Sequence, residues 1–61
     1  MGYNMIKIGS EWMGSNYKTF TVRGIEQRDN DIWISYGSHA EDRTYECLVD
    51  AFLERFRLHT N

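Results

Sequence analysis

From Lys18 to Arg23 apolar and polar side chains alternate, with Phe20 and Val22 on one face of an extended chain and Thr19, Thr21 and Arg23 on the other. A period of two, in a stretch rich in Thr and Val, predicts a half-buried strand. Gly24 breaks the alternation, because Ile25 lies an odd number of positions from Val22. A glycine that shifts the phase inside a strand predicts a bulge, about which a small sheet curls. Beyond the polar turn at residues 27–31, Ile32, Ile34 and Tyr36 alternate with Trp33 and Ser35. Beyond the connection at residues 37–42, Arg43-Thr44-Tyr45-Glu46-Cys47 forms a last strand with Tyr45 and Cys47 on one side. Upstream, Ile6-Lys7-Ile8 and Glu11-Trp12-Met13 are divided by Gly9-Ser10. Either is the first strand, or the two are one strand interrupted at Gly9.

The period then changes. Leu48, Phe52 and Phe56 recur every fourth residue with Val49 and Leu53 beside them, an apolar stripe at helical spacing. Asp50 near the start and Arg55 and Arg57 near the end suit the helix dipole. A helix of about ten residues is too short to stand alone in water and must dock on the sheet. His59-Thr60-Asn61 is expected to fray. The inward set is Phe20, Val22, Ile25, Ile32, Ile34, Tyr36, Tyr45, Cys47, Leu48, Phe52 and Phe56. The pattern specifies a mainly β chain: a curled antiparallel sheet of roughly four to five strands closed by a short C-terminal helix.

Composition explains how so short a chain builds a core. Residues 1–61 have room for one domain, and a domain of this size buries only roughly 60% of the surface its unfolded chain exposes. A single Cys makes no internal disulfide and offers no pair to anchor a structural zinc. Aromatic residues, 15% of the chain, take over, since each buried ring removes a large apolar area from water. Assembly into a homo-oligomer is a second route to stability. No apolar run approaches the ~20 residues that span a bilayer. Met1-Gly2-Tyr3-Asn4-Met5-Ile6 lacks the basic and apolar regions of a signal peptide. A lone Cys without an export signal suits a reducing cytoplasm.

Seven basic side chains are scattered among nine acidic ones, for a net charge of −2. A nucleic-acid binder concentrates positive charge, and no basic tract is present. Cys47 reads as a small buried hydrophobe where strand meets helix, since nothing in the sequence supplies the lowered pKa and oriented base of a nucleophile. His39, Glu41 and Asp42 in a Gly-Ser loop read as a solvated turn rather than a metal site, and no metal or cofactor is expected. Phosphate-cradling, dinucleotide and nucleophile-elbow motifs are absent, so no enzymatic activity is expected.

Two groups of residues remain as candidates. Trp33 lies opposite Ile32 and Ile34 in phase, and Thr19, Thr21, Arg23, Thr44 and Glu46 share its outward face if the strands are neighbours. A Trp framed by Thr and Arg has the composition of an interaction hot spot; the competing reading places Trp33 under the N-terminal segment. Trp12 and Tyr17 flank Gly14-Ser15-Asn16 and would form a stacking edge for bases, or an aromatic cleft for an extended peptide. The competing reading has Trp12 plugging one end of the fold.

The opening Lys7-Ile8-Gly9-Ser10-Glu11-Trp12, the Phe20-x-Val22 strand, the aromatic-rich central strand and the closing Cys47-Leu48-Val49-Asp50-Ala51-Phe52-Leu53-Glu54-Arg55-Phe56 resemble the small SH3-like β-barrel accessory proteins of bacteriophages. The resemblance spans most of the chain and implies a fold and a viral origin, with the host bacterial cytoplasm as the compartment. It brings no catalytic residue. The function expected is therefore a non-enzymatic module that engages a host or viral protein through the sheet face. The alternative is a nucleic-acid-binding small barrel using Trp12, Tyr17, Lys18, Arg23 and Trp33, which the charge balance disfavours.

Overall fold

The computed structural model describes residues 6–58. Five strands and one helix follow one another as β1 (Glu11–Met13), β2 (Thr19–Arg28), β3 (Asp31–Gly37), β4 (Tyr45–Leu48), α1 (Val49–Arg55) and β5 (Arg57–Leu58). They form one antiparallel sheet in the order β4-β3-β2-β1-β5. The class expected from the sequence is the one found, a mainly β curled sheet with a short helix late in the chain. The ladder is not closed, since β4 and β5 form its two edges.

Long β2 joins the two halves. It pairs with β1 through Thr19–Thr21 and with β3 from Thr21 to Arg28. Between these stretches the register shifts: Val22 pairs with Tyr36 and Gly24 with Ser35, leaving Arg23 as the extra residue. The bulge is where the broken alternation put it, and it brings Val22 and Ile25 to the same face, Ile25 opposite Ile34. Ile25 nevertheless lies beyond the core and stays 39% exposed, contrary to its place in the inward set. The β2–β3 turn is tighter than expected. Arg28 and Asp31 pair across Asp29 and Asn30, and Asp29 takes a left-handed φ of 55° that Asp tolerates.

Of the two candidates for the first strand, only Glu11–Met13 is one. Residues 7–10 turn instead. Ser10 N–H donates to Lys7 O at 2.9 Å, and Gly9 has a φ of 92°. Gly9 N–H donates to Val22 O and Val22 N–H to Ser10 O, so the turn itself lies along β2. Ile6 is buried and Ile8 is exposed.

Two assignments at the other end change. Leu48 belongs to β4, precedes the helix in an extended conformation and is 39% exposed on the outer face rather than inward. The helix ends after Arg55. Phe56 is extended, its N–H donating to Phe52 O at 2.9 Å, and Arg57 then pairs with Met13 and Leu58 with Trp12. Phe52 and Phe56 still share a side, but the second reaches it from an extended backbone. Residues 59–61, expected to fray, lie outside the described residues.

The core is an aromatic cluster between the sheet and α1. Phe52 is fully buried, with its ring 5.1 Å from Trp12, 5.5 Å from Tyr36 and 4.6 Å from Phe56, centroid to centroid. Val22 and Ile34 fill the floor beneath them at 1% exposure. Most of the ring pairs meet edge to face, the arrangement that adds attraction beyond the area buried.

Candidate functional site

Because successive residues of a strand point to opposite faces, burying Ile34 and Tyr36 forces Trp33 and Ser35 outward. Trp33 pairs with Glu26 on β2 and with Leu48 on β4. It is half-buried and takes no part in the core cluster. Among the described residues Arg28 lies over it, its guanidinium carbon 5.3 Å from the centre of the indole, while residues 1–5 of the N-terminal segment, the competing cover, lie outside the described residues. Two carboxylates hold Arg28 there: Nη2 donates to Glu46 Oε2 at 2.8 Å, and Nε donates to Glu26 Oε1. Those hydrogen bonds, to Glu46 first and Glu26 second, raise the Arg28 pKa above its ordinary value. A cation stacked on an indole and flanked by half-exposed Leu48 makes an amphipathic patch on the outer face of β2, β3 and β4.

Of the residues expected on this face, Glu46 sits beside Trp33 by holding Arg28, while Thr19, Thr21, Arg23 and Thr44 occupy the other end and have local tasks. Thr19 pairs with Met13. Thr21 faces Glu11 and Gly37, with its Oγ1 3.2 Å from His39 Nε2. Arg23 is a clamp. Its Nη1 donates to Thr44 Oγ1 at 2.9 Å and to Arg43 O at 3.2 Å, and its Nη2 donates to Ser38 O at 3.4 Å. The bulge aims this side chain over Gly37 and onto the 38–44 connection. Trp33 is therefore framed by Arg28, Glu26 and Leu48 rather than by Thr and Arg23. Sequence reasoning missed Arg28 by placing it in a turn, although the phase after the bulge puts Glu26 and Arg28 outward together.

Trp12 and Tyr17 do not form an edge. Trp12 is 3% exposed, packed edge-on against Phe52, with Nε1 donating to Ser10 Oγ at 3.0 Å. It plugs the core, as the competing reading had it. Tyr17 is 84% exposed at the tip of the β1–β2 connection. The proposed nucleic-acid set is not brought together either: Trp12 is buried, and Lys18, just before β2, is eight residues from Glu26, the partner of Trp33, roughly 25 Å along an extended strand.

The β1–β2 connection closes on itself, Gly14 N–H donating to Lys18 O and Tyr17 N–H to Gly14 O. Between it and the end of α1 lie two adjoining open clefts. One, of about 430 Å³, is lined by Met13, Tyr17, Arg55 and Arg57 among others. The second, of about 360 Å³, has Phe20, Tyr36 and Phe56 as its apolar wall and Lys18 at its margin.

Cys47 is buried opposite Ile34. Burial pushes its thiol up, more than the nearby Arg55 charge and Tyr36 phenol bring it down. Native protein should therefore react slowly with a thiol reagent and unfolded protein at the free-thiol rate. Fast labelling of the native state would return Cys47 to the list of reactive groups. Among the described residues no three His, Cys, Asp or Glu side chains gather so as to hold a metal ion, and no helix is long and apolar enough to cross a membrane.

No protein-family model matches the chain, and neither a curated protein nor a solved structure does.

Proposed function

We propose that this chain is a non-enzymatic protein-binding module, a small phage accessory protein whose outward sheet face docks on a host or viral protein. The observation that carries the reading is Trp33, held on the face opposite the core beneath the Arg28 guanidinium. Trp and Arg are the side chains most often found to dominate binding energy at protein interfaces. Ordering them in advance lowers the entropy lost when a partner arrives. The charge around Trp33 argues against a phosphate backbone as the occupant, because Glu26 and Glu46 outnumber the one cation between them. The phage assignment rests on the sequence resemblance.

Two adjacent residues test this reading. Ile34→Ala removes a side chain that is 1% exposed and should cost on the order of 2–5 kcal/mol, a large share of what so small a domain has. Trp33→Ala should keep folding within about 1 kcal/mol, since the residue lies outside the core. It should nevertheless lose a bacterial or viral protein that the immobilised wild-type chain captures, or break a homo-oligomer on a sizing column. Thermal unfolding of both variants beside the capture experiment decides. If Trp33→Ala melts as early as Ile34→Ala, or captures the same protein as wild type, the face is not the interface.

A further inference from the structure

The clefts beside the β1–β2 connection hold chemistry that the Trp33 face does not use. Lys18, Arg55 and Arg57 line them with a single carboxylate, Glu54, in a chain whose net charge is −2. Among the described residues the ion pairs are those of Arg28, and none of these three cations takes part in one. Positive charge thus collects here against the overall balance.

Tyr17 adds a separate argument. Its φ of 61° lies in the left-handed region, which disfavours side chains other than those of Gly, Asn and Asp. A non-glycine residue held in this way costs stability unless something compensates. Burial does not, since the ring is 84% exposed. Gly or Asn would fold more easily at this position, yet the position carries a large aromatic that lines the first of the two adjoining clefts. Behind it, Gly14 keeps the connection directly on the rings of Phe20 and Phe56; a Cβ there would sit 3.3 Å from each.

We propose that this cleft docks an extended acidic segment of a partner protein. One aromatic or large aliphatic side chain of that segment would sit between Tyr17 and the apolar wall of Phe20, Tyr36 and Phe56, with flanking carboxylates facing Lys18, Arg55 and Arg57. A nucleic-acid strand fits less well. Glu54 lines both clefts and interrupts a phosphate track, whereas a peptide backbone can donate N–H groups to it. This site is separate from the Trp33 face, so each stands or falls alone.

The test is a titration of isotope-labelled chain followed by its amide resonances, with the blocked peptide Asp-Glu-Phe-Glu-Asp as probe. The peptide Lys-Lys-Phe-Lys-Lys and a short oligothymidylate serve as controls. The acidic probe should give saturable shifts centred on residues 14–18 and 54–57, weakened by added salt. Tyr17→Asn should lose affinity by about tenfold while melting no lower than wild type. Trp33→Ala should bind the probe as wild type does. Three outcomes overturn the proposal: no saturable shift with the acidic peptide, an equal response to the basic one, or undiminished binding by Tyr17→Asn. Tighter binding of the oligothymidylate at the same amides would assign the cleft to nucleic acid instead.

Discussion

Phe52→Ala should remove between about a third and all of the chain's stability at room temperature. The ring is fully buried and is the one that Trp12, Tyr36 and Phe56 all touch. Removing a buried Phe costs roughly 3–5 kcal/mol, through lost transfer free energy and the cavity left behind. A domain of this length has a total stability of only about 3–9 kcal/mol at the usual rate per residue. Phe52 also fastens α1 to the sheet, and a helix of seven residues has no stability of its own to fall back on. Chemical denaturation monitored by tryptophan fluorescence is the direct measurement, because Trp12 reports from beside the lost ring. Phe52→Leu, which keeps most of the volume, should recover much of the stability. A loss under about 1 kcal/mol for Phe52→Ala would mean that the aromatic cluster is not what holds the sheet and helix together.

Gly37→Ala should destabilise for a reason unrelated to cavities. A Cβ at Gly37 would lie 2.5 Å from the Arg43 carbonyl oxygen and 2.6 Å from the Arg23 guanidinium carbon. The guanidinium could swing away, at the expense of its hydrogen bonds to Arg43, Thr44 and Ser38, but the carbonyl belongs to the backbone. Overpacking of this kind costs roughly 1–3 kcal/mol, and the backbone clash puts Gly37→Ala at the upper end. A double-mutant cycle separates the two contacts. In an Arg23→Ala background most of the cost should remain, because the carbonyl has not moved. If Arg23→Ala removes the penalty altogether, the clamp and not the backbone sets the limit at Gly37.

The strands were legible wherever alternation was unbroken. Thr19–Arg23 and Ile32–Tyr36 form the centre of the sheet, and the phase break at Gly24 marks the bulge. Local pattern failed where one side chain suits two geometries. Phe56 lies four residues after Phe52 and so fits a helix, yet Phe56-Arg57-Leu58 also alternates, and that second pattern is β5. The alternation is too short to outweigh a helical stripe until the partner, β1, is known. Ile6-Lys7-Ile8 alternates as well, but Gly9 and Ser10 close a turn on Lys7 before a ladder can form.

The candidate site was half legible. Trp33 faced outward from alternation alone. Arg28 was hidden because carrying the phase through the bulge moves Glu26 and Arg28 to the Trp33 face, and the stretch 27–31 reads as a turn until the hairpin is known to close on Asp29 and Asn30. Trp12 was ambiguous for another reason: an indole suits a core and a stacking surface equally well by composition. Only the ring of Phe52 beside it decides.

The pairing of Trp12 with Leu58 sets an order of events when the chain folds. β2, β3 and β4 are joined by short connections, so their meander closes small loops and can assemble from neighbouring segments alone. β1 and β5 meet only after the intervening chain has been arranged, and they share just two register pairs. The meander can therefore collapse before β5 finds β1, leaving the free side of β1 without its neighbour. Until that last strand docks, the chain presents β1 as an open edge, of the kind that invites strand exchange with another copy.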